Sequence, residues 1–205
     1  MDKINEAAKN FYTKLVRVHQ DSPLSCSWTH EAQLFRWKKL VELSEIRESK
    51  TGLPRVLDFG CGVGDFFGFL CDEKIDVQYT GMDIVPEMID IAKKKYPEAS
   101  FLCGDIMDMT LDEKWDYTLI CGVFNMRMGN DDESMENMQR ILKLLWSSTN
   151  RLTFNFISTY VNYREEAMAY YNPFSVMDWC MKNLSKKITV AHWYEKCDVC
   201  IDVRK

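Results

Sequence analysis

Arg55-Val-Leu-Asp-Phe-Gly-Cys-Gly-Val-Gly-Asp-Phe-Phe67 is an apolar run that stops at an acid and turns into a glycine cluster. Val56, Leu57 and Phe59 have the character of a short buried parallel strand, and Phe66, Phe67, Phe69 and Leu70 form the apolar side of a helix directly after it. The turn between them contains Gly60, Gly62 and Gly64, which permit positive φ and let a ligand approach bare backbone. Free N–H groups at the helix start complete a polar cradle of the size a nucleotide-like molecule needs.

The spacing narrows the ligand. A dinucleotide fingerprint requires G-x-G-x-x-G, but here the glycines run G-x-G-x-G and are followed by Asp65, whose carboxylate would repel a pyrophosphate. No glycine precedes Lys-Ser or Lys-Thr, so a Walker loop is absent. The stretch resembles the first motif of the class I S-adenosylmethionine (SAM)-dependent methyltransferases, whose cofactor carries an amino acid and a sulfonium instead of phosphates. The resemblance gives acids such as Asp58 and Asp65 a role beside cationic groups.

The chain has 205 residues, enough for one substantial core but not for two generous domains. Its hydrophobic content of 46% and charged content of 28% are those of a folded soluble protein, and no apolar run is long enough to span a bilayer. The first residues carry no basic leader followed by an apolar segment, and the sequence is expected to be cytoplasmic. Its eight cysteines are scattered, several inside apolar runs, as expected of small buried hydrophobes in a reducing compartment. Cys197 and Cys200 form a lone C-x-x-C pair within a stretch that alternates like a strand, which would send the two sulfurs to opposite faces, so no metal site is expected. A net charge of −5 opposes a nucleic-acid substrate.

Outward from the glycine turn the pattern becomes regular. The periodicity predicts strands over 55–59, 76–83, 99–103, 115–121 and 151–157, with helices over 64–72, 86–96, 132–147 and 173–183. The last two strands, 187–193 and 197–204, are close enough in sequence to form an antiparallel hairpin. Ahead of this core, helices over 3–20 and from Thr29 form a hairpin, and Leu53-Pro54 marks the boundary. The expected organisation is a helical cap over residues 1–52 and a single globular unit over 53–205 that binds SAM. Combined with the resemblance, this implies an α/β fold: a Rossmann-like seven-stranded sheet, mostly parallel, with helices on both faces and strand seven between five and six.

In such a sheet ligands lie at the carboxyl ends of the strands. Strand two ends at Asp83, about 20 residues past the glycine turn, where an acid meets ribose hydroxyls; the alternative is a cap for the following helix. The resemblance assigns Asp105 to the adenine amino group and Ile106 to its ring, though a turn aspartate without a ligand is an equally simple reading of Asp105 alone. It also places the methionine part against Cys121 and Gly122, and adds Asp58, Gly60, Cys61, Gly62 and Ile84 to the cofactor-binding set. Asn125 and Arg127 follow Gly122 at the expected cleft mouth, without the Asn-Pro-Pro-Tyr signature of enzymes that methylate amide or base nitrogens.

Methyl transfer from a sulfonium relies on proximity and alignment, and a base is needed only when the nucleophile arrives protonated. His192 and Tyr160 are the candidates for that role, with a structural histidine as the alternative. Trp28, Gln33, Arg36 and Asn155 are candidate substrate contacts beside Asn125 and Arg127, while Trp28 and the tyrosines of 160–171 read equally as core. The resemblance thus implies a SAM-dependent methyltransferase acting on a small molecule and releasing S-adenosylhomocysteine (SAH). A cofactor-binding partner without activity and a SAM-consuming cyclase or lyase are the alternatives.

Overall fold

The computed structural model describes residues 3–49, 52–109, 113–193 and 197–205. Its single sheet contains β1 (Arg55–Phe59), β2 (Gln78–Asp83), β3 (Ser100–Cys103), β4 (Trp115–Ile120), β5 (Thr149–Ile157), β6 (Lys187–Trp193) and β7 (Asp198–Arg204). The order is β3-β2-β1-β4-β5-β7-β6. The first five strands pair in parallel, and β7 runs antiparallel to both β5 and β6. This is the Rossmann-like topology expected. Residues 194–196, expected to join the last two strands, lie outside the described residues.

The helices are α1 (Lys3–His19), α2 (His30–Ser44), α3 (Asp65–Asp72), α4 (Pro86–Lys95), α5 (Asp131–Ser148) and α6 (Pro173–Asn183). Local chemistry sets their starts. Thr29 Oγ1 accepts from Ala32 N at 3.2 Å, so α2 begins one residue later than the periodicity predicts. Asn130 and Glu133 form a reciprocal capping box at α5, and Asn172 caps α6 ahead of Pro173.

Strand alternation sorts the core into two layers. On one face Val56, Tyr79, Phe101, Tyr117 and Leu119 pack with Trp37 and Val41 of α2, Phe66, Phe69 and Leu70 of α3, and Ile89 and Ala92 of α4. On the other, Leu57, Met82, Ile120, Phe154, Phe156, Val199 and Ile201 pack with Met138, Ile141 and Leu142 of α5 and with Val176 and Cys180 of α6. Each of these large side chains contributes about 1.5–3 kcal/mol on full burial.

Two details differ from the sequence expectation. The two N-terminal helices do different jobs: α1 stands over the strand ends, whereas α2 belongs to the first packing layer and is tied to β5 by Arg151, which donates to Leu43 O at 2.9 Å. Cys197 has a φ of 59°, so the β7 ladder starts at Asp198 and the strand alternation argued for the Cys197–Cys200 pair does not extend to Cys197.

Candidate active site

A cleft of about 890 Å³, open to solvent, lies along the carboxyl ends of the parallel strands. The glycine turn forms its floor. Gly60 N and Cys61 N donate to Met82 O at 2.8 and 3.0 Å, which locks the turn against the end of β2. Gly60 has a φ of +80°, and a Cβ there would fall 2.2 Å from Val123 Cγ2, so only glycine fits. Gly122, at φ +78°, is equally constrained, because a Cβ would stand 2.6 Å from the Trp28 ring.

Three carboxylates follow one another along the strand ends. Asp58, at the end of β1, is buried and accepts a 2.5 Å hydrogen bond from the Tyr79 hydroxyl. Burial pushes its pKa up to about 7, the Tyr79 bond opposes this, and Asp83 adds to it. Asp83 Oδ2 accepts from Gly62 N and Oδ1 from Val85 N, both at 2.9 Å. Burial still raises its pKa, against the pull of those backbone donors. A carboxylate offers about four lone-pair sites, so Asp83 keeps capacity for further donors. The Asp105 carboxylate accepts the Asn5 amide on both oxygens at 2.9 Å and Met107 N on Oδ1 at 3.0 Å. Asp65, in contrast, is already met by Lys95 Nζ at 2.7 Å.

Among the described residues, no Lys, Arg or His lines this cleft. Beside the carboxylates and the uncharged polar Asn5, Tyr12 and Asn137, its walls include the apolar Ile84, Met88, Ile106, Val123, Met128 and Ile141. A phosphate would find no counter-charge here, whereas a cation would find carboxylates. A smaller cavity of about 450 Å³ shares Cys26, Trp28, Gly60 and Cys121 with the cleft and adds Gln33, Asp58 and Cys61. Gln33 is buried in its wall, and its Oε1 has no hydrogen-bond partner among the described residues. An orphaned acceptor beside a carboxylate and a glycine turn fits the ammonium of an amino acid. Burial drives the Cys26 thiol up to about 12 and raises the Cys61 and Cys121 thiols as well, so these sulfurs are neutral walls and not nucleophiles.

A methyltransferase domain model matches residues 56–144, the segment that contains the glycine turn and all three carboxylates. This part of the chain is a methyltransferase domain. It is 28% identical to a putative methyltransferase of Mycobacterium tuberculosis, over 72% of this chain and 91% of that one. It is 30% identical to a malonyl-[acyl-carrier protein] O-methyltransferase of Acetivibrio thermocellus over 53% of this chain, an alignment that spans only 40% of that longer protein. The N-methyltransferase NodS of Bradyrhizobium japonicum, solved with SAH, shares the fold at a TM-score of 0.70 and 18% identity, covering 96% of this chain and 98% of that one. The carboxylates, glycines and Gln33 acceptor are of the chemical kinds a sulfonium amino acid nucleoside requires.

The structure brings together most of the residues singled out from sequence. Gly60, Gly62, Asp83, Ile84, Asp105, Ile106, Cys121, Gly122 and Trp28 line the main cleft, and Asp58, Cys61 and Gln33 line the smaller cavity. The remainder stand behind or beside it. Arg36 stacks its guanidinium 3.9 Å over Trp28 and pairs with Asp198 at 2.8 Å, so its charge is spent on holding that wall. Asn155 Oδ1 accepts from Gly122 N at 2.8 Å while its Nδ2 donates to Asp198 at 3.2 Å, making it a support for the β4 end. Asn125 is buried behind the cleft wall, and Arg127 is paired with Asp131 at 3.2 Å. His192 and Tyr160 neighbour each other, with ring centroids 6.2 Å apart, but neither lines the cleft. The sheet order explains this, since β6 is the edge strand, separated from β4 by β5 and β7.

Sequence reasoning missed Asn5, Ala8 and Tyr12 of α1, which face the cleft from above, and Asn137 and Ile141 of α5. The α1 residues follow an i, i+3, i+7 stripe that includes the polar Asn5 and Tyr12, whereas Phe11 and Val18 of the apolar periodicity are exposed, so the apolar pattern did not mark the face that meets the cleft.

Proposed function

We propose that this protein is a class I SAM-dependent methyltransferase acting on a small molecule, with the methionine part of SAM in the smaller cavity and the adenosine along the main cleft. The observation that carries this reading is a cleft lined by carboxylates and without a basic side chain among the described residues. On this reading Asp58, Gln33 and Cys121 surround the amino-acid end, Asp83 receives the ribose hydroxyls, and Asp105 receives the adenine amine against Ile106. The cap on the sheet is α1 alone, whose Asn5 and Tyr12 close the cleft roof, while α2 belongs to the core of the 53–205 unit. No helix among the described residues is long and apolar enough to cross a membrane, and Cys26, Cys61, Cys71, Cys103, Cys121, Cys180 and Cys200 are free thiols, which supports a cytoplasmic protein.

Bound SAM supplies an already activated methyl group on a sulfonium. The chain's contribution is to hold that group beside the acceptor, to exclude water with the α1 roof, and to fix the β4 end through Asn155, which accepts from Gly122 N and donates to Asp198. Burial raises the Tyr12 hydroxyl pKa, so it does not serve as a base at neutral pH. His192 and Tyr160 lie outside the cleft, so the mechanism draws on neither for proton removal, and the acceptor is a group that is nucleophilic as it arrives.

Calorimetry with SAH tests the cofactor half. Asp83→Ala removes the hydroxyl acceptor and leaves Gly62 N and Val85 N without their partner, and should weaken binding by about 100-fold, corresponding to two hydrogen bonds to a charged group. Unchanged affinity in this variant would refute the ribose assignment. Mass spectrometry of a candidate acceptor should show methyl in place of hydrogen, with SAH as the second product. Release of methylthioadenosine instead would refute methyl transfer.

A further inference from the structure

Asn137 lies two turns into α5, four residues before Ile141, and both side chains line the cleft together with Asp105 and Ile106. It is only 7% exposed, and its Oδ1 has no hydrogen-bond partner among the described residues. Packing does not account for an amide here, because its neighbours on the same helix face, Met138, Ile141 and Leu142, are apolar core residues. A buried carbonyl oxygen of this kind is normally satisfied, and one that lines a cleft is satisfied by what enters the cleft.

The surroundings limit what that is. The Asp105 carboxylate in the same cleft already holds a planar –NH₂ group, that of Asn5, with both nitrogen-to-oxygen distances at 2.9 Å. Ile106, Val123, Met128 and Ile141 supply flat apolar walls suited to the faces of a ring. A primary carboxamide presents an acceptor and a donor side by side. That pair matches the N6 and N7 edge of adenine, the pairing by which asparagine reads adenine in the DNA major groove.

We propose that Asn137 reads this edge of the cofactor's adenine, its Oδ1 accepting from the exocyclic amine and its Nδ2 donating to N7, while Asp105 accepts the amine's other hydrogen. Asn137 is then a base-specificity residue of the SAM site. The inference rests on the proposed placement of adenine beside Asp105, and the experiment separates the two.

The intact chain is titrated by calorimetry with SAH and with 7-deaza-SAH, in which a C–H replaces N7. Wild type should bind the 7-deaza analogue about tenfold more weakly. Asn137→Leu should lose about tenfold in SAH affinity and bind the two ligands equally. Asn137→Asp, isosteric and unable to donate to N7, should also fail to discriminate, which keeps the test decisive if the leucine variant does not fold. Equal wild-type affinity for the two ligands, or wild-type discrimination retained in either variant, overturns the proposal. Failure of the placement has its own signature: Asp105→Ala binds SAH as tightly as wild type.

Discussion

Asp58 offers the sharpest test of how the cleft recognises a cation. Its carboxylate is buried with one described hydrogen bond, from Tyr79, and its pKa stands at about 7. Near pH 7 it is therefore half protonated. At pH 6 about one molecule in eleven carries the ionised form, and at pH 8 about ten in eleven do. If an ammonium binds in the smaller cavity beside it, ligand affinity follows the ionised fraction, and SAH should bind about tenfold more tightly at pH 8 than at pH 6, a difference of about 1.4 kcal/mol. Binding at pH 7 should release about half a proton from Asp58. Calorimetry in buffers of different ionisation enthalpy reads that proton directly.

The same group makes a linked prediction for the ligand-free protein. Its folded pKa lies above the unfolded value of about 3.9, so between pH 4 and pH 7 the unfolded chain carries fewer protons than the folded one, and stability falls as pH rises through that window. The contribution is on the order of 4 kcal/mol across the window and flat above it. Asp58→Asn should remove both the slope in affinity and the slope in stability. A wild-type affinity that is level from pH 6 to pH 8, with no proton released, would refute the electrostatic reading of this cavity. So would an Asp58→Asn protein that keeps the wild-type pH dependence.

Two further outcomes follow from the walls. Asp198→Asn leaves the buried Arg36 guanidinium without its 2.8 Å partner and should cost about 3–5 kcal/mol in urea denaturation. Adding Arg36→Met should recover much of that loss, and no recovery would mean that the pair is not the source. Gly122→Ala places a methyl 2.6 Å from Trp28 at a φ of +78°, and should cost about 1–3 kcal/mol while weakening SAH binding. Trp28→Ala in the same chain should relieve the contact but not the backbone strain, so the double variant should regain only part of the stability.

How far the sequence reached depended on whether a residue's partner lay nearby along the chain. The glycine turn, Asp83 and Asp105 stood out because their spacing is a property of one strand-turn-helix unit after another, and the structure places all of them on one cleft. The split between α1 and α2 was not legible. Both helices carry apolar stripes, and only the sheet order decides which meets a packing layer and which spans the strand ends. Arg36 and Asn155 looked like substrate contacts because strand-end and helix-start positions are where such contacts occur. Their partners, Asp198 and Gly122, lie 162 and 33 residues away, and they turn both side chains into supports.

Asn5 shows the same limit from the other direction, and what it does bears on how the cleft is entered. Its amide lies 100 residues from Asp105 in sequence, yet both Asp105 oxygens accept from it. Met107 N takes a further site on Oδ1, so three of about four lone-pair sites are filled without any ligand. An incoming adenine amine can use the remaining site or displace the Asn5 amide, and displacement exchanges one –NH₂ donor for another on the same carboxylate. The enthalpic cost of opening this roof is then small, because the hydrogen bonds lost by α1 are remade by the ligand. The remaining hold on α1 comes from its distal half, where Val16 packs with Val63, Val85 and Met88 and Arg17 pairs with Glu87 at 2.7 Å. The helix is thus anchored at the end far from Asp105, and its near end is tied to the strand ends through the Asn5 amide, a group that the amine of a nucleoside would replace in kind under the proposed placement.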